Sequence, residues 1–149
     1  MVQIGGQSSF LASTATISYA APQLLGLSSI ETKQNYADTG DNVLIYLVGT
    51  NFGPVATADV FFDDVPTSFV SQSSHSELQF QAPPTGVGSL KEIKINVAGQ
   101  YSNTLYFSFN PPKIEHILPG SNVIGEIEII GSSFGATNET GTVKIGDSR

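Results

Sequence analysis

The stretch Leu47-Val48-Gly49-Thr50-Asn51-Phe52-Gly53 (LVGTNFG, residues 47–53) governs how this chain reads, because it returns as IIGSSFG at residues 129–135. Gly53 and Gly135 close the two copies at an offset of 135 − 53 = 82 positions. Taken alone, the later copy spells G-x-S-x-G, the strand-to-helix turn that presents a nucleophilic serine in hydrolases, with Ser133 as the nucleophile. The earlier copy has Asn51 where the later one has Ser133, and no helical pattern follows Gly135. The turn therefore persists without the hydroxyl. What the copies share is Gly-x-x-Phe-Gly, as expected if the glycines take conformations closed to other residues and the Phe plugs the end of a sandwich. On this reading there is no catalytic residue.

Similarity at a fixed offset extends outward from this corner, the mark of a repeat architecture. Downstream, Val60-Phe61-Phe62-Asp63-Asp64 aligns with Val143-Lys144-Ile145-Gly146-Asp147; upstream, Ala21-Pro22-Gln23-Leu24-Leu25 aligns with Pro111-Pro112-Lys113-Ile114-Glu115. The start of the chain joins in, with Gly6-Gln7-Ser8-Ser9 matching Gly99-Gln100-Tyr101-Ser102 and Ile17-Ser18-Tyr19 matching Phe107-Ser108-Phe109. The unit is about 90 residues, a normal domain size. The expected division is 1–21 for the final strands of one unit, 22–110 for a complete unit and 111–149 for the opening strands of another. Such a chain reads as a segment of a longer tandem array.

Within each unit the periodicity is that of strands. Val43-Leu44-Ile45-Tyr46-Leu47-Val48 is β-branched and aromatic and is expected to stop at Gly49; Gly125-Glu126-Ile127-Glu128-Ile129-Ile130 alternates and is expected to stop at Gly131. That alternation predicts Ile127 and Ile129 toward a core and both glutamates toward water. Further strands are expected at 60–62, 77–81, 92–97 and 105–109, with turns at 83–86 and 99–100. Turn signals about a dozen residues apart point to an all-β sandwich.

Named together, Pro22-Gln23-Leu24-Leu25-Gly26-Leu27, Gly49-Thr50-Asn51-Phe52-Gly53, Val60-Phe61-Phe62, Ala82-Pro83-Pro84, Gly99-Gln100-Tyr101-Ser102 and Tyr106-Phe107-Ser108-Phe109-Asn110-Pro111 resemble the IPT/TIG domain in content and order. The resemblance implies an immunoglobulin-like, early-set (E-set) β-sandwich, in tandem repeats with one complete and two partial units. Such domains occur as stacked ectodomain modules of cell-surface proteins, as single domains of Rel-type transcription factors, and as accessory modules of surface and polysaccharide-acting proteins. The family as a whole shares no catalytic site.

Composition narrows these settings. The 149 residues are 40% hydrophobic and 13% charged, with a net charge of −7 and six basic residues. Affinity for a polyanion comes from clustered Lys and Arg releasing counterions, and no such cluster exists, so no nucleic-acid partner is expected and the Rel-type alternative loses its footing. Cysteine is absent, which removes disulfides and thiolate chemistry. No apolar run approaches the ~20 residues of a membrane helix, so no direct membrane insertion is expected in this segment, and the start lacks the pattern of a signal peptide.

Candidate sites are few. Asp38 and Asp41 in Asp38-Thr39-Gly40-Asp41-Asn42, and Asp63-Asp64 at a strand end, offer oxygen ligands for Ca²⁺ in sandwich loops, but without EF-hand spacing and in residue types usual for turns. No metal or cofactor is expected. His75 and His116 lie in different units and do not read as converging zinc ligands. Tyr101 and Tyr106 read as half-buried strand packing, and residues 86–91 as a link between strands without phosphate-binding spacing. Asn138-Glu139-Thr140 is an N-glycosylation acceptor, consistent with a glycoprotein. The expected function is a non-catalytic spacer of a tandem-repeat extracellular or cell-surface protein, in cell adhesion or recognition. Its partners would be neighbouring repeats and another surface protein or a glycan. The alternative is an accessory, glycan-binding module of a carbohydrate-acting surface protein.

Overall fold

In the computed structural model the described residues are 3–4, 6–8, 18–40, 42–67, 69–83, 87–119, 125–135 and 141–146, and every regular element among them is a strand. In chain order these are β1 (Gln3–Ile4), β2 (Gln7–Ser8), β3 (Gln23–Ser29), β4 (Tyr36–Ala37), β5 (Leu44–Thr50), β6 (Ala58–Phe62) and β7 (Val65–Pro66). They continue as β8 (Phe69–Ser74), β9 (Glu77–Gln81), β10 (Lys91–Val97), β11 (Gln100–Tyr101), β12 (Leu105–Phe109), β13 (Lys113–Pro119) and β14 (Ile127–Ser132).

Period-two patterning selects these segments. Ile45 and Leu47 on β5, Leu78 and Phe80 on β9, Val60 and Phe62 on β6, Ile93 and Ile95 on β10, and Phe107 and Phe109 on β12 are all buried, each separated by one less buried residue. Strands whose alternate residues are apolar can bury one face and wet the other. One sheet has the order β3-β5-β9-β8, all antiparallel; the other has β4-β12-β10-β6-β7, with β11 attached to β10. The short β4 runs parallel to β12, while the other pairs in this second sheet are antiparallel.

The buried faces of the two sheets form one apolar cluster, joined at its centre by aromatic contacts. The Phe62 and Phe80 rings, one from each sheet, lie 6.5 Å apart, and Phe109 meets Phe107 edge-on at 5.5 Å. Tilted and edge-to-face rings at these separations add modestly to their hydrophobic burial. Tyr101 touches Phe61 at 5.9 Å, yet it is 59% exposed and Tyr106 48%, so both are more open to water than the half-buried packing expected for them.

Several strands differ from the sequence expectation. β5 and β14 do not stop at Gly49 and Gly131 but pass through them to Thr50 and Ser132. Residues 71–74, in a stretch of serines and Gln72 without apolar alternation, belong to β8, an edge strand paired with β9. Residues 143–145 form no strand, although the residues that align with them, 60–62, belong to β6. β6 is held by five residue pairs with β10, and no strand of the described residues stands in that place beside 143–146. Ser18 and Tyr19 are likewise not in a strand, and Tyr19 is almost wholly exposed.

β13 and β14 pair only with each other. With no second sheet over them among the described residues, Ile127 is 48% exposed rather than core-facing, and Ile114, Ile117 and Ile130 are exposed as well. The expected alternation holds only in part: Ile129 is half-buried, while Glu126 and Glu128 face water.

Candidate functional site

The two corners are built alike. The β3–β5 pairs are Gln23↔Thr50, Leu24↔Gly49, Gly26↔Val48, Leu27↔Leu47, Ser28↔Tyr46 and Ser29↔Ile45, with a bulge between Leu24 and Gly26. The β13–β14 pairs are Lys113↔Ser132, Ile114↔Gly131, His116↔Ile130, Ile117↔Ile129, Leu118↔Glu128 and Pro119↔Ile127, with a bulge between Ile114 and His116. Advancing the first strand by 90 and the second by 82 turns each pair of the earlier hairpin into the matching pair of the later one. The chain start repeats in the same sense: Gln3↔Ser8 and Ile4↔Gln7 of β1–β2 correspond, 93 positions on, to Asn96↔Tyr101 and Val97↔Gln100 of β10–β11.

The bulge explains the first glycine of each corner. A Cβ on Gly49 would collide with the Gln23 carbonyl oxygen and come within 2.6 Å of the Phe52 ring; one on Gly131 would collide with the Lys113 carbonyl oxygen and come within 2.6 Å of the Phe134 ring. Neither glycine has positive φ, so the requirement at these two positions is space, not conformation. The closing glycines differ: Gly53 and Gly135 have φ of 74° and 100°, where only glycine is unstrained. Between them Asn51 (φ 61°) and Ser133 (φ 58°) share a left-handed backbone. Asn tolerates it readily and Ser less so.

The environments of the two Phe plugs diverge. Phe52 is wholly buried, and its backbone N–H donates to the His75 carbonyl at 2.9 Å. Behind it, the buried Gln72 amide donates to the carbonyls of Phe52 (3.1 Å), Gly53 (3.1 Å) and Ser74 (3.2 Å), while its oxygen accepts from Ala56 N–H at 3.1 Å. This polar plug was not legible in the sequence, where Gln72 sits among serines. Asn103 has a comparable role at the β3 bulge, accepting from Leu24 N–H (2.7 Å) and donating to Leu24 O (3.0 Å). Phe134, in contrast, is 47% exposed.

The later corner meets the two-sheet sandwich at Asp38. Asp38 Oδ1 accepts from Ser133 Oγ at 2.9 Å and from Asn110 Nδ2 at 2.8 Å, and Thr39 Oγ1 accepts from Gly135 N–H at 2.9 Å. Hydrogen bonds from Asn110, then Ser133, hold the Asp38 carboxyl below its ordinary value; Lys113 adds attraction and desolvation partly opposes. Ser133 is only 6% exposed, although most of its hairpin is open to water. A cleft of about 510 Å3 lies beside this contact, lined by Thr39, Val87, Phe109, Pro111 and Phe134 among others.

Ser133 therefore has an acid beside it, but among the described residues no histidine is hydrogen-bonded to Ser133 or Asp38. His75 lies in the β8–β9 turn and His116 on β13, both exposed. A carboxylate stabilised in its ionised form is a weak base toward a serine hydroxyl.

The other carboxylates point elsewhere. Asp63 and Asp64 form the β6–β7 turn, both with positive φ. Asp63 pairs with Lys91 Nζ at 2.8 Å and accepts from Glu92 N–H at 2.9 Å; Asp64 pairs with Lys94 Nζ at 2.8 Å. The Lys91 hydrogen bond is the main cause of a lowered Asp63 pKa, and the Asp64 hydrogen bond raises that of Lys94. Asp38 thus serves the contact with the later corner, whereas Asp63 and Asp64 serve the second sheet. Among the described residues no three acidic or histidine side chains converge as metal ligands. Asp41 and Asn138 lie outside the described residues.

A search of curated proteins gave no match. The family model of the IPT/TIG domain matches residues 27–109, from β3 through the end of β12. That span covers more than half of the chain and coincides with the two-sheet sandwich, an immunoglobulin-like module of the early-set kind. The chain belongs to the IPT/TIG domain family.

Proposed function

We propose that this chain is a non-catalytic spacer segment of a tandem TIG-repeat protein displayed at the cell surface or secreted, where its repeats hold recognition or adhesion surfaces at fixed distances. The observation that carries this reading is the pair-for-pair identity of register between β3–β5 and β13–β14, bulge included. Unrelated hairpins have no reason to share a bulge, a close-approach glycine and a left-handed third corner residue. On this reading 1–21 closes one repeat, 22–110 is complete and 111–149 opens the next. An acidic, cysteine-free chain is consistent with a module stabilised by packing.

The work of such a segment is geometric. Pro22 and Pro111-Pro112 sit at the expected junctions, where fixed φ angles restrict how one sandwich tilts on the next. Small-angle scattering on the natural multi-repeat protein should give a cross-section one sandwich wide and a length growing linearly with repeat number. A flexible-chain profile would overturn the spacer reading. Antibodies to the complete domain should label intact, unpermeabilised cells; labelling only after permeabilisation would overturn the surface location.

A further inference from the structure

We infer that the pole of the TIG domain bearing Asp38 and Thr39 is a receiving site for the Gly-x-x-Phe-Gly corner of the unit that follows, and that it selects a corner whose third residue carries a side-chain hydrogen-bond donor. This rests on the tandem reading above and adds to it the surface that sets the angle between units.

Three contacts converge there. The Ser133 hydroxyl donates to Asp38, Asn110 at the end of the preceding unit donates to the same oxygen, and the Gly135 N–H donates to Thr39. The connection is itself anchored, with Asn110 N–H on Ala37 O at 2.8 Å. Left-handed backbone at position 133 turns the side chain out of the hairpin and toward Asp38. An isolated two-stranded hairpin is marginal in water, so its contacts with the complete domain are what can fix its orientation.

The upstream corner presents a related arrangement, with a backbone carbonyl in place of the carboxylate. Asn51 occupies the place of Ser133 with nearly the same φ and also carries a donor, Nδ2, which reaches Ala21 O of the preceding connection at 3.1 Å. Gln100 Nε2 holds the same connection at Tyr19 O (3.2 Å). A cleft of about 500 Å3 opens there, lined by Tyr19, Pro22, Asn51, Gly53 and His75 among others. Asn51, Gly53 and Pro22 stand in it where Ser133, Gly135 and Pro112 stand beside the downstream cleft. The partner this surface fits is a TIG corner with Ser or Asn at its third position.

The absence of cysteine makes the test direct. Spin labels at Ser71→Cys and Glu128→Cys, one on the sandwich and one on the hairpin, report the distance between them in the full chain. Ser133→Ala and Asp38→Ala should each broaden and shift that distance distribution, Thr39→Val should do so more weakly, and Ser133→Asn should leave it narrow. The thermal midpoint of the sandwich, measured in parallel, should stay within a few degrees of the parent, so a loss of folding is separable from a loss of docking. Unchanged distributions in Ser133→Ala and Asp38→Ala would overturn the inference and leave the spacer reading standing. A flexible profile in the multi-repeat protein, with the distance shifts still present, would do the reverse.

Discussion

Replacing Phe52 by Ala tests the corner most severely. The ring is wholly buried, Gly49 lies against it, and Gln72 closes the space behind its carbonyl. Truncating a buried Phe costs about 3–5 kcal/mol, from lost transfer energy plus an incompletely collapsed cavity. In a domain this size each kcal/mol moves the thermal midpoint by roughly 4–8 °C, so a central value near 4 kcal/mol predicts a fall of about 16–32 °C. That is a large share of the ~5–15 kcal/mol typical of a small domain. The matched substitution at Phe134 removes a ring that is 47% exposed. With about half the burial and no enclosed cavity, it should cost roughly 1 kcal/mol and should act on the hairpin, not on the sandwich. Far-UV circular dichroism melts of Phe52→Ala, Phe134→Ala and the parent decide the matter. A fall below ~5 °C for Phe52→Ala, or equal losses at the two positions, would refute the argument that burial separates two otherwise equivalent corners.

Two further outcomes follow from the same contacts. Gln72→Leu should destabilise the sandwich by about 1–3 kcal/mol, because the Phe52, Gly53 and Ser74 carbonyls lose their donor in a site closed to water; urea unfolding should show a lower midpoint with an unchanged slope. Both Asp38 and Asp63 have lowered folded-state pKa values, so their contribution to stability is fully present above the ordinary carboxylate pKa and is lost as pH falls through the folded values. Stability should therefore drop below about pH 4, and Asp63→Asn should flatten that drop in acid unfolding curves. Since Asp38 and Asp63 are both open to water, solvent screening keeps each effect small.

The legibility of this fold follows burial. β5, β9, β10 and β12 were readable because alternate Val, Ile, Leu and Phe must face a core, and their bounds fall within a few residues of the expected ones. β8 was unreadable because it is an edge strand in which Gln72 is buried, and most of that side chain's partners lie sixteen to twenty residues away. The corner itself was legible as a repeated shape, but the reason for its first glycine was not. Close approach to the carbonyl of Gln23 or Lys113 depends on a bulge in a different strand, and nothing local signals it. The Asp38–Ser133 contact spans 95 positions, and in sequence Asp38 resembled a loop calcium ligand as much as an acceptor for a serine.

The two copies of the corner separate what local sequence fixes from what tertiary context adds. Register, bulge, the space reserved at the first glycine and the left-handed third residue are the same in both. Those features need only two strands and a turn. Burial of the Phe needs a facing sheet, which Phe52 has through β6, β10 and β12 and Phe134 lacks among the described residues. A corner whose geometry is set before its core is covered can recur along a chain in different surroundings. Its third residue is then free to serve a second purpose: Asn51 is hydrogen-bonded to Ala21 and Ser133 to Asp38.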